Sequence, residues 1–478
     1  MVRSASRLLN RMAACIAQDM TNLRCHLRAI SSEPTGEGLY TYRFEEPGGK
    51  VRLHLRVHGD GSGLIFINAT EALHLSASHA QMAKLALDEV PSDEALERLT
   101  VYYPQIPRAE LAAQLSNMQK AMAALSQPAT GCPACASGLP QPPAFSVPTQ
   151  VPYKADLALH YACNNACSHC YNEPGRKTMR SLQVRQWEQI LDELYGIGVP
   201  YVIFTGGEPT LYEGLPRLVE HAEKLGQITG VNTNGRLLGR DGLAGKLARA
   251  GLGHVQATLN SHREQVHNQI VGARAFEETV QGIRASLDAG LHTLTNSTLI
   301  TDNVHEALEL VEFLHELGLR TFAMNGMIYS GCGARHPAAL DEQKLEPVLV
   351  AVRDRADQLE MRFLWYTPTR YCRMSPLELG LGVRCCNAAE YSICIEPDGS
   401  VLPCQSYYEP VGKLLEDGWE QIWNCDLFRR FRERRSYPQK CGLPPECHEC
   451  DWLQMCGGGC VLERENECAH ALEDRHER

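Results

Sequence analysis

A 478-residue chain with 44% apolar residues and a formal net charge of −11 exceeds one ordinary core, so two or three packed domains are expected. The acidic balance supplies no basic field for a phosphate backbone or an anionic bilayer, which argues against nucleic acid and membrane as partners. The N-terminal stretch mixes Arg7, Arg11, Asp19 and Arg24 with apolar positions at helical spacing and holds no apolar run long enough to span a bilayer or act as a signal, so a cytoplasmic setting is expected.

Residues 38–46 and 50–58 alternate polar and apolar side chains around a Pro-Gly-Gly turn and predict a hairpin of half-buried strands. A further strand is expected over 63–68, then helices over 69–88, 92–102 and 107–125, with Ser92, Glu94 and Glu97 giving the second helix a capped start. Residues 1–125 thus read as a winged-helix-like α+β module without the dense basic helix that DNA contacts require. Residues 126–152, rich in Pro, Gly and Ser, read as a linker. Its Cys132 and Cys135 form an isolated CX2C pair with no second pair at finger spacing, so they are expected to be free thiols.

From 155 to 325, apolar runs (155–161, 201–205, 230–234, 254–260, 292–300 and 321–324) alternate with amphipathic stretches (184–194, 215–225, 243–250, 275–289 and 304–317). Repeated βα units imply a parallel sheet with function at the C-terminal strand ends. The loop after the first strand carries Cys163, Cys167 and Cys170 at CX3CX2C spacing, one thiolate short of the four that normally hold a [4Fe–4S] cluster, which leaves one iron open. The second strand runs into Gly206-Gly207-Glu208-Pro209, where the glycines let a ligand approach the backbone and Glu208 offers a carboxylate. The third ends in Asn232-Thr-Asn-Gly235, the fourth in Thr258-Leu-Asn-Ser261, and the fifth carries Asn296 and Thr298. One long helix over 340–363 is expected to lead away from the sheet.

The cysteines return at the C-terminus. Asp398-Gly399 between alternating apolar runs is a hairpin turn that should bring Cys386 close to Cys404. A helix over 411–424 is expected to close that hairpin. Beyond it stand Cys447, Cys450, Cys456 and Cys460 at CX2CX5CX3C spacing, then Cys468.

The CX3CX2C loop, with His169 before its third cysteine, followed one βα unit later by GGEP, resembles the radical S-adenosylmethionine (SAM) superfamily. The C-terminal cysteine order resembles the SPASM domain. More weakly, 38–125 resembles the peptide-recognition element related to the chaperone of pyrroloquinoline quinone biosynthesis, which binds a leader peptide as an added strand. The resemblance implies an α/β fold: a partial (β/α)6 barrel at 153–335, with a helical bridge and SPASM domain at 336–478. It implies that Cys163, Cys167 and Cys170 hold the cluster whose open iron chelates SAM, and that reductive cleavage gives a 5′-deoxyadenosyl radical. His169, Gly206, Gly207, Glu208, Pro209, Asn234, Thr258, Asn260 and Asn296 become candidate SAM contacts, with Glu208 meeting the amino group. Val271 stands where the family often has an arginine, and Arg274 is a possible substitute.

Two auxiliary [4Fe–4S] clusters are implied as well. Cys386, Cys404 and Cys460 would ligate the first, with Cys372 as the best-placed fourth ligand and Cys385 the poorer one. Cys447, Cys450, Cys456 and Cys468 would ligate the second. Cys332, Cys394, Cys425 and Cys441 read as bystanders. The implied substrate is a ribosomally made precursor peptide altered at a carbon centre, with an electron donor such as flavodoxin or ferredoxin. The rivals are a dehydrogenase or maturase acting on a protein or small-molecule cofactor precursor and, outside enzymes, a winged-helix iron–sulfur regulator. No catalytic acid or base is assigned.

Overall fold

The computed structural model describes residues 34–46, 49–128, 135 and 137–465. They fall into two compact units, within Met1–Pro142 and Pro143–Arg478.

The first unit is a four-stranded antiparallel sheet in the order β1-β2-β3-β4 with three helices. The hairpin forms as expected, β1 (Gly38–Glu46) pairing with β2 (Gly49–Val57) from Gly38↔Val57 to Glu46↔Gly49. β3 (Gly63–Ile67) follows. The stretch 69–75, expected to open a helix, instead forms β4 (Glu71–Leu75), and α1 (Ala77–Leu87) starts only after Ser76, whose Oγ accepts from His79 N. A five-residue alternating run beside an existing edge gains a full ladder by pairing, which outweighs its helical propensity. α2 (Ser92–Tyr102) and α3 (Arg108–Leu125) match their expected spans, but Ser92 is already helical, the cap position is Pro91, and Ser92 Oγ bonds the Gln119 side chain instead. Leu53, Leu55, Ile65, Met82, Leu99, Leu111 and Met118 fill the core between sheet and helices. His54 and Arg56 on the other face of β2 are buried too, Arg56 lying over the Phe66 ring, so this strand is not half-exposed.

The second unit is organised by one nine-stranded sheet in the order β11-β10-β9-β8-β7-β6-β5-β12-β13. Its centre is the expected run of parallel βα units: β5 (Lys154–Ala158), α4 (Val184–Gly196), β6 (Tyr201–Thr205), α5 (Leu215–Leu225), β7 (Ile228–Thr233), α6 (Leu243–Ala250), β8 (His254–Thr258), α7 (Glu264–Val271), α8 (Phe276–Asp288), β9 (His292–Thr298), α9 (Ala307–Glu316) and β10 (Thr321–Asn325). Trp187, Ile190, Leu194, Leu218 and Val219 on the inner faces of α4 and α5 cover one part of the sheet, and Leu310, Leu314, Leu349 and Val352 cluster with Phe322 of β10 at another.

Both edges continue past the six expected strands. The long helix ends early, α10 spanning Glu342–Gln358, and the chain turns back as β11 (Arg362–Trp365), parallel to β10. On the opposite edge β12 (Ser392–Ile395) lies parallel to β5, the strand that launches the cysteine loop. β12 makes the expected hairpin with β13 (Val401–Leu402) around Asp398-Gly399, whose carboxylate accepts from Ser400 N. The helix expected over 411–424 starts as extended chain, where Val401 N donates to Gly412 O and Val411 N to Val401 O, turns over 414–417, and is helical only in α11 (Trp419–Trp423). α12 (Asp426–Glu433) follows. No helix among the described residues is long and apolar enough to cross a membrane.

Arg434, at the end of α12, ties the cysteine-bearing segments together. Its guanidinium is buried, donates to the carbonyls of Cys386 (2.6 Å), Gly457 (3.1 Å) and Phe431, and pairs with Glu390 at 2.9 Å. Replacing it strands three acceptors and weakens a buried ion pair, a change that costs about 3–5 kcal/mol when such a pair is broken. Arg434→Met is therefore expected to lower the denaturant midpoint of the full chain, read by circular dichroism, by far more than a surface Arg→Met control.

Candidate active site

The cysteine loop has no secondary structure of its own between β5 and 174, so its shape is imposed by neighbouring strand ends. From one side it hangs on α7: Ala166 N donates to Val271 O (2.9 Å) and Ser168 N to Ile270 O (3.0 Å). Gly272, the left-handed cap of α7 at φ +62°, is required there, because a Cβ would collide with the Ala166 carbonyl. Val271, at the position where the resemblance often has an arginine, is buried beneath the loop.

From the other side the loop meets the turn after β6. Gly207 N donates to His160 O (2.7 Å) and Glu208 N to Ala162 O (2.9 Å), and a Cβ on Gly206 or Gly207 would strike the backbone of 160–162. The two glycines admit the chain's own cysteine loop to close packing. Glu208 is 1% exposed and its carboxylate is already filled: Oε1 accepts from Thr210 N (3.0 Å), Thr210 Oγ1 (2.5 Å) and Thr233 Oγ1 (2.6 Å), and Oε2 from Asn234 N (2.7 Å). Burial raises its pKa while these donors oppose the rise. The carboxylate joins the ends of β6 and β7, and Pro209 is buried in the same turn.

Asn234 carries the lock on to the cysteines, its Nδ2 donating to Asn164 Oδ1 at 2.6 Å. Arg236, which the sequence reading overlooked, completes it. Its guanidinium donates to Asn164 O and to Asn165 Oδ1 (2.9 Å) and is itself held by Glu278 at 2.5 Å, with Arg240 on the carboxylate's other oxygen. Nothing in local spacing marks Arg236. Only its position after the Asn-Gly turn at the end of β7 could have drawn notice.

The three thiols are electrostatic neighbours. Cys163 is exposed and its sulfur accepts from Asn165 N at 3.4 Å. Burial, then the neighbouring Cys170, Cys163 and Cys332, push the Cys167 thiol up to about 12. A group that must lose protons to bind metal is thus held protonated by its own environment until a cation supplies the compensating charge. Cys332, expected to be a bystander, lies beside them, its N–H donating to Cys170 O at 2.8 Å. Burial and His336 hold His169 down at about 4, so its ring is neutral, and its buried Nδ1 has no partner among the described residues.

Further along the mouth, the strand ends form a buried amide network. Asn260 Oδ1 accepts from Thr298 N (3.0 Å), and Asn303 Nδ2 donates to the carbonyls of Asn260 (2.8 Å) and Thr298 (2.9 Å). Thr258 and Asn296 face each other in register on β8 and β9. Asn260 Nδ2 and Asn296 Oδ1 are buried without a partner among the described residues. An unused donor and acceptor at the C-terminal strand ends suit a polar ligand such as a ribose or an amino acid.

The auxiliary cysteines sort into two groups. Burial and the adjacent Cys386 and Cys460 thiols push Cys404 up to about 12, so these three thiols are neighbours. Cys372 does not join them: its thiol neighbour is Cys456, and Cys447 is flanked by Cys456, Cys372 and Cys450. Cys385 Sγ accepts from Arg435 at 3.3 Å. Cys394 is fully buried, as expected of a small apolar filler. Cys468 and Cys132 lie outside the described residues. Among the described residues no three His, Cys, Asp or Glu side chains are drawn together tightly enough for a single metal ion.

The hairpin of the first auxiliary site is joined to the chain just after the cysteine loop. Tyr161 Oη donates to Glu396 Oε1 (2.7 Å), the Arg176 guanidinium pairs with Glu396 and lies 3.9 Å from the centre of the Tyr408 ring, and Tyr408 Oη donates to Tyr171 O (3.2 Å). None of these partners is closer than 220 residues in sequence, apart from those on one segment.

Comparison with known proteins agrees with this geometry. The radical SAM superfamily model matches residues 158–314 and that of the SPASM iron–sulfur cluster-binding domain matches 385–451. The chain is 30% identical over 320 residues to the mycofactocin maturase MftC of Mycolicibacterium smegmatis, covering 64% of this chain and 77% of that protein. It is 30% identical over 322 residues to the PqqA peptide cyclase of Xanthomonas campestris pv. campestris, covering 65% and 82%. Among solved structures, Streptococcus suis SuiB bound to precursor peptide SuiA shares the fold, with a TM-score of 0.64 at 17% identity over 88% of this chain and 96% of that one. The protein belongs to the radical SAM superfamily and carries a SPASM domain. It is therefore an enzyme, its cofactors are SAM and [4Fe–4S] clusters, and the iron–sulfur regulator falls away as a rival.

Arg236 offers a direct check on how the loop is held. Hydrogen bonds from a charged donor contribute about 1.5–3 kcal/mol, so Arg236→Ala is expected to slow reductive 5′-deoxyadenosine formation by about tenfold or more. It should broaden the electron paramagnetic resonance signal of the SAM-cleaving cluster while leaving the auxiliary signals as they are.

Proposed function

We propose that this enzyme modifies a ribosomally synthesised precursor peptide at a carbon centre, using the cluster held by Cys163, Cys167 and Cys170. The observation that carries the reading is the 30% identity over 320 and 322 residues to proteins named as a maturase and a peptide cyclase. Cys163, Cys167 and Cys170 would hold the cluster, which, given an electron from a donor such as flavodoxin or ferredoxin, would supply reductive cleavage of SAM and abstraction of a hydrogen atom from a substrate carbon. The chain's own residues place and enclose that event. Arg236, Asn234 and Gly272 set the cysteine loop, and Asn260, Asn296 and Thr258 offer polar groups to the nucleoside. His169, neutral and half-buried beside the third cysteine, offers a flat ring to the adenine.

The first unit supports a peptide rather than a small molecule as substrate. β1 is an end strand of its sheet and presents Arg43 and Glu45 to solvent, and an end strand accepts a peptide by backbone pairing, which is indifferent to the chain's acidic charge. The Cys thiols require a reducing compartment, in keeping with a cytoplasmic enzyme.

The test is anaerobic. Reconstituted enzyme, dithionite, SAM and short peptides encoded beside the gene are expected to give 5′-deoxyadenosine together with a peptide mass change, both abolished when Cys163, Cys167 and Cys170 are replaced by Ala. Hydrogen–deuterium exchange of the full chain should show protection of 38–46 when the N-terminal part of the peptide is added. Peptide that is neither altered nor protective on β1, with SAM cleavage intact, would turn the assignment to a protein or small-molecule substrate.

A further inference from the structure

We infer that Cys372 is the fourth thiolate of the auxiliary cluster held by Cys447, Cys450 and Cys456, rather than a ligand of the cluster at Cys386, Cys404 and Cys460. The inference rests on the iron–sulfur reading of the C-terminal region and reassigns a residue that chain order places with the first site.

Segment 369–373 is wrapped onto the CX2CX5CX3C stretch by contacts of several kinds. Cys456 Sγ donates to Thr369 O at 3.7 Å. The Tyr371 ring lies 6.0 Å from that of Trp452, tilted by 52°. Arg370 crosses Gly459 so closely that a Cβ there would sit 2.5 Å from Arg370 Cγ, and its guanidinium reaches Glu463 at 3.6 Å. Within this frame Cys372 is exposed, with Cys456 and Cys447 as its neighbouring thiols and Arg370 and Arg373 as neighbouring cations. Two guanidinium groups beside a thiolate set offset the negative charge a cluster brings.

Cys372 is not among the thiols that neighbour one another at the other site. Cys404 and Cys460 neighbour Cys386 and each other, while Cys385, next in the chain to Cys386, is turned to the Arg435 guanidinium. A four-iron cluster takes four thiolates, so Cys372 and Cys468 compete for one position at the second site.

The experiment is a set of double-mutant comparisons in the full chain, in a background where Cys163, Cys167 and Cys170 are Ala and only auxiliary iron remains. The readouts are iron per chain and the electron paramagnetic resonance of the reduced protein. Cys372→Ala is expected to remove or reshape the same signal as Cys447→Ala, with a loss of up to about four irons, and the two changes together should cost no more than either alone. Combined with Cys404→Ala, its losses should add. Cys372→Ser, which keeps a weaker oxygen ligand in place, should shift that signal and retain more iron, which separates ligation from misfolding. Cys468→Ser should leave both signals standing. The assignment is overturned if Cys372→Ala is non-additive with Cys404→Ala, if it leaves both signals and the iron unchanged, or if Cys468→Ser alone disturbs the Cys447 signal. A background protein without iron would overturn the iron–sulfur reading of the region and this assignment with it, an outcome the iron count alone identifies.

Discussion

The site depends on one contact between two backbones. The turn at Gly206-Gly207 lies against 160–162 with no room for a side chain, and its amides are spent on His160 O and Ala162 O. An irregular loop bearing three thiols has no ladder to hold it, and buried backbone groups without partners would be costly. The fold solves both problems by making the loop a partner of its neighbours. β6 supplies donors through 207 and 208, β7 supplies Asn234 and Arg236, and α7 supplies two carbonyls. Glu208 shows how completely the region is committed to this task, since a buried carboxylate with four donors is a joint between strands with little left for a ligand.

A second constraint is that the sheet runs past the barrel at both ends. β11 covers β10 on one side, and the hairpin of the first auxiliary site covers β5 on the other. Edges closed in this way are protected from pairing with other chains. The same extension brings Glu396, at the end of β12, within reach of Tyr161 and Arg176, so the hairpin that positions Cys404 also steadies the segment leaving Cys170. The two metal-bearing regions are therefore parts of one sheet, and the geometry between them is set by strand register.

What could be read from the sequence follows from how local each determinant is. The cysteine spacings, the Gly-Gly turn, the Asp-Gly hairpin and the βα alternation are statements about residues a few positions apart, and they reappear in the structure nearly unshifted. Readings that went astray needed a distant partner. The strand at 71–75 exists because β3 is there to pair with it, and β11 because β10 offers an edge. Arg236 and Gly272 touch the cysteine loop only after the sheet has brought them there. Cys372 stood upstream of Cys386 at a workable distance along the chain, whereas the fold sets it beside Cys456 through the contacts of Thr369 and Tyr371. Glu208 was legible as a carboxylate at a strand end, but the sequence does not say that Thr210, Thr233 and Asn234 would all donate to it.

The parallel pairing of β5 with β12 carries a cost during synthesis. β5 ends at residue 158 and its outer partner begins at 392, so the ribosome must add the whole barrel, α10 and β11 before the outer edge of β5 can be satisfied. At about 5–20 residues per second that interval lasts roughly ten to fifty seconds. Throughout it the nascent chain holds an open edge strand next to an oxidisable trio of thiols, with the most sequence-distant pairing in its sheet still to come. The protein is thus slowest to close at the place where its cysteines are most vulnerable, and prompt delivery of iron and a reducing environment matter to its birth as much as to its turnover.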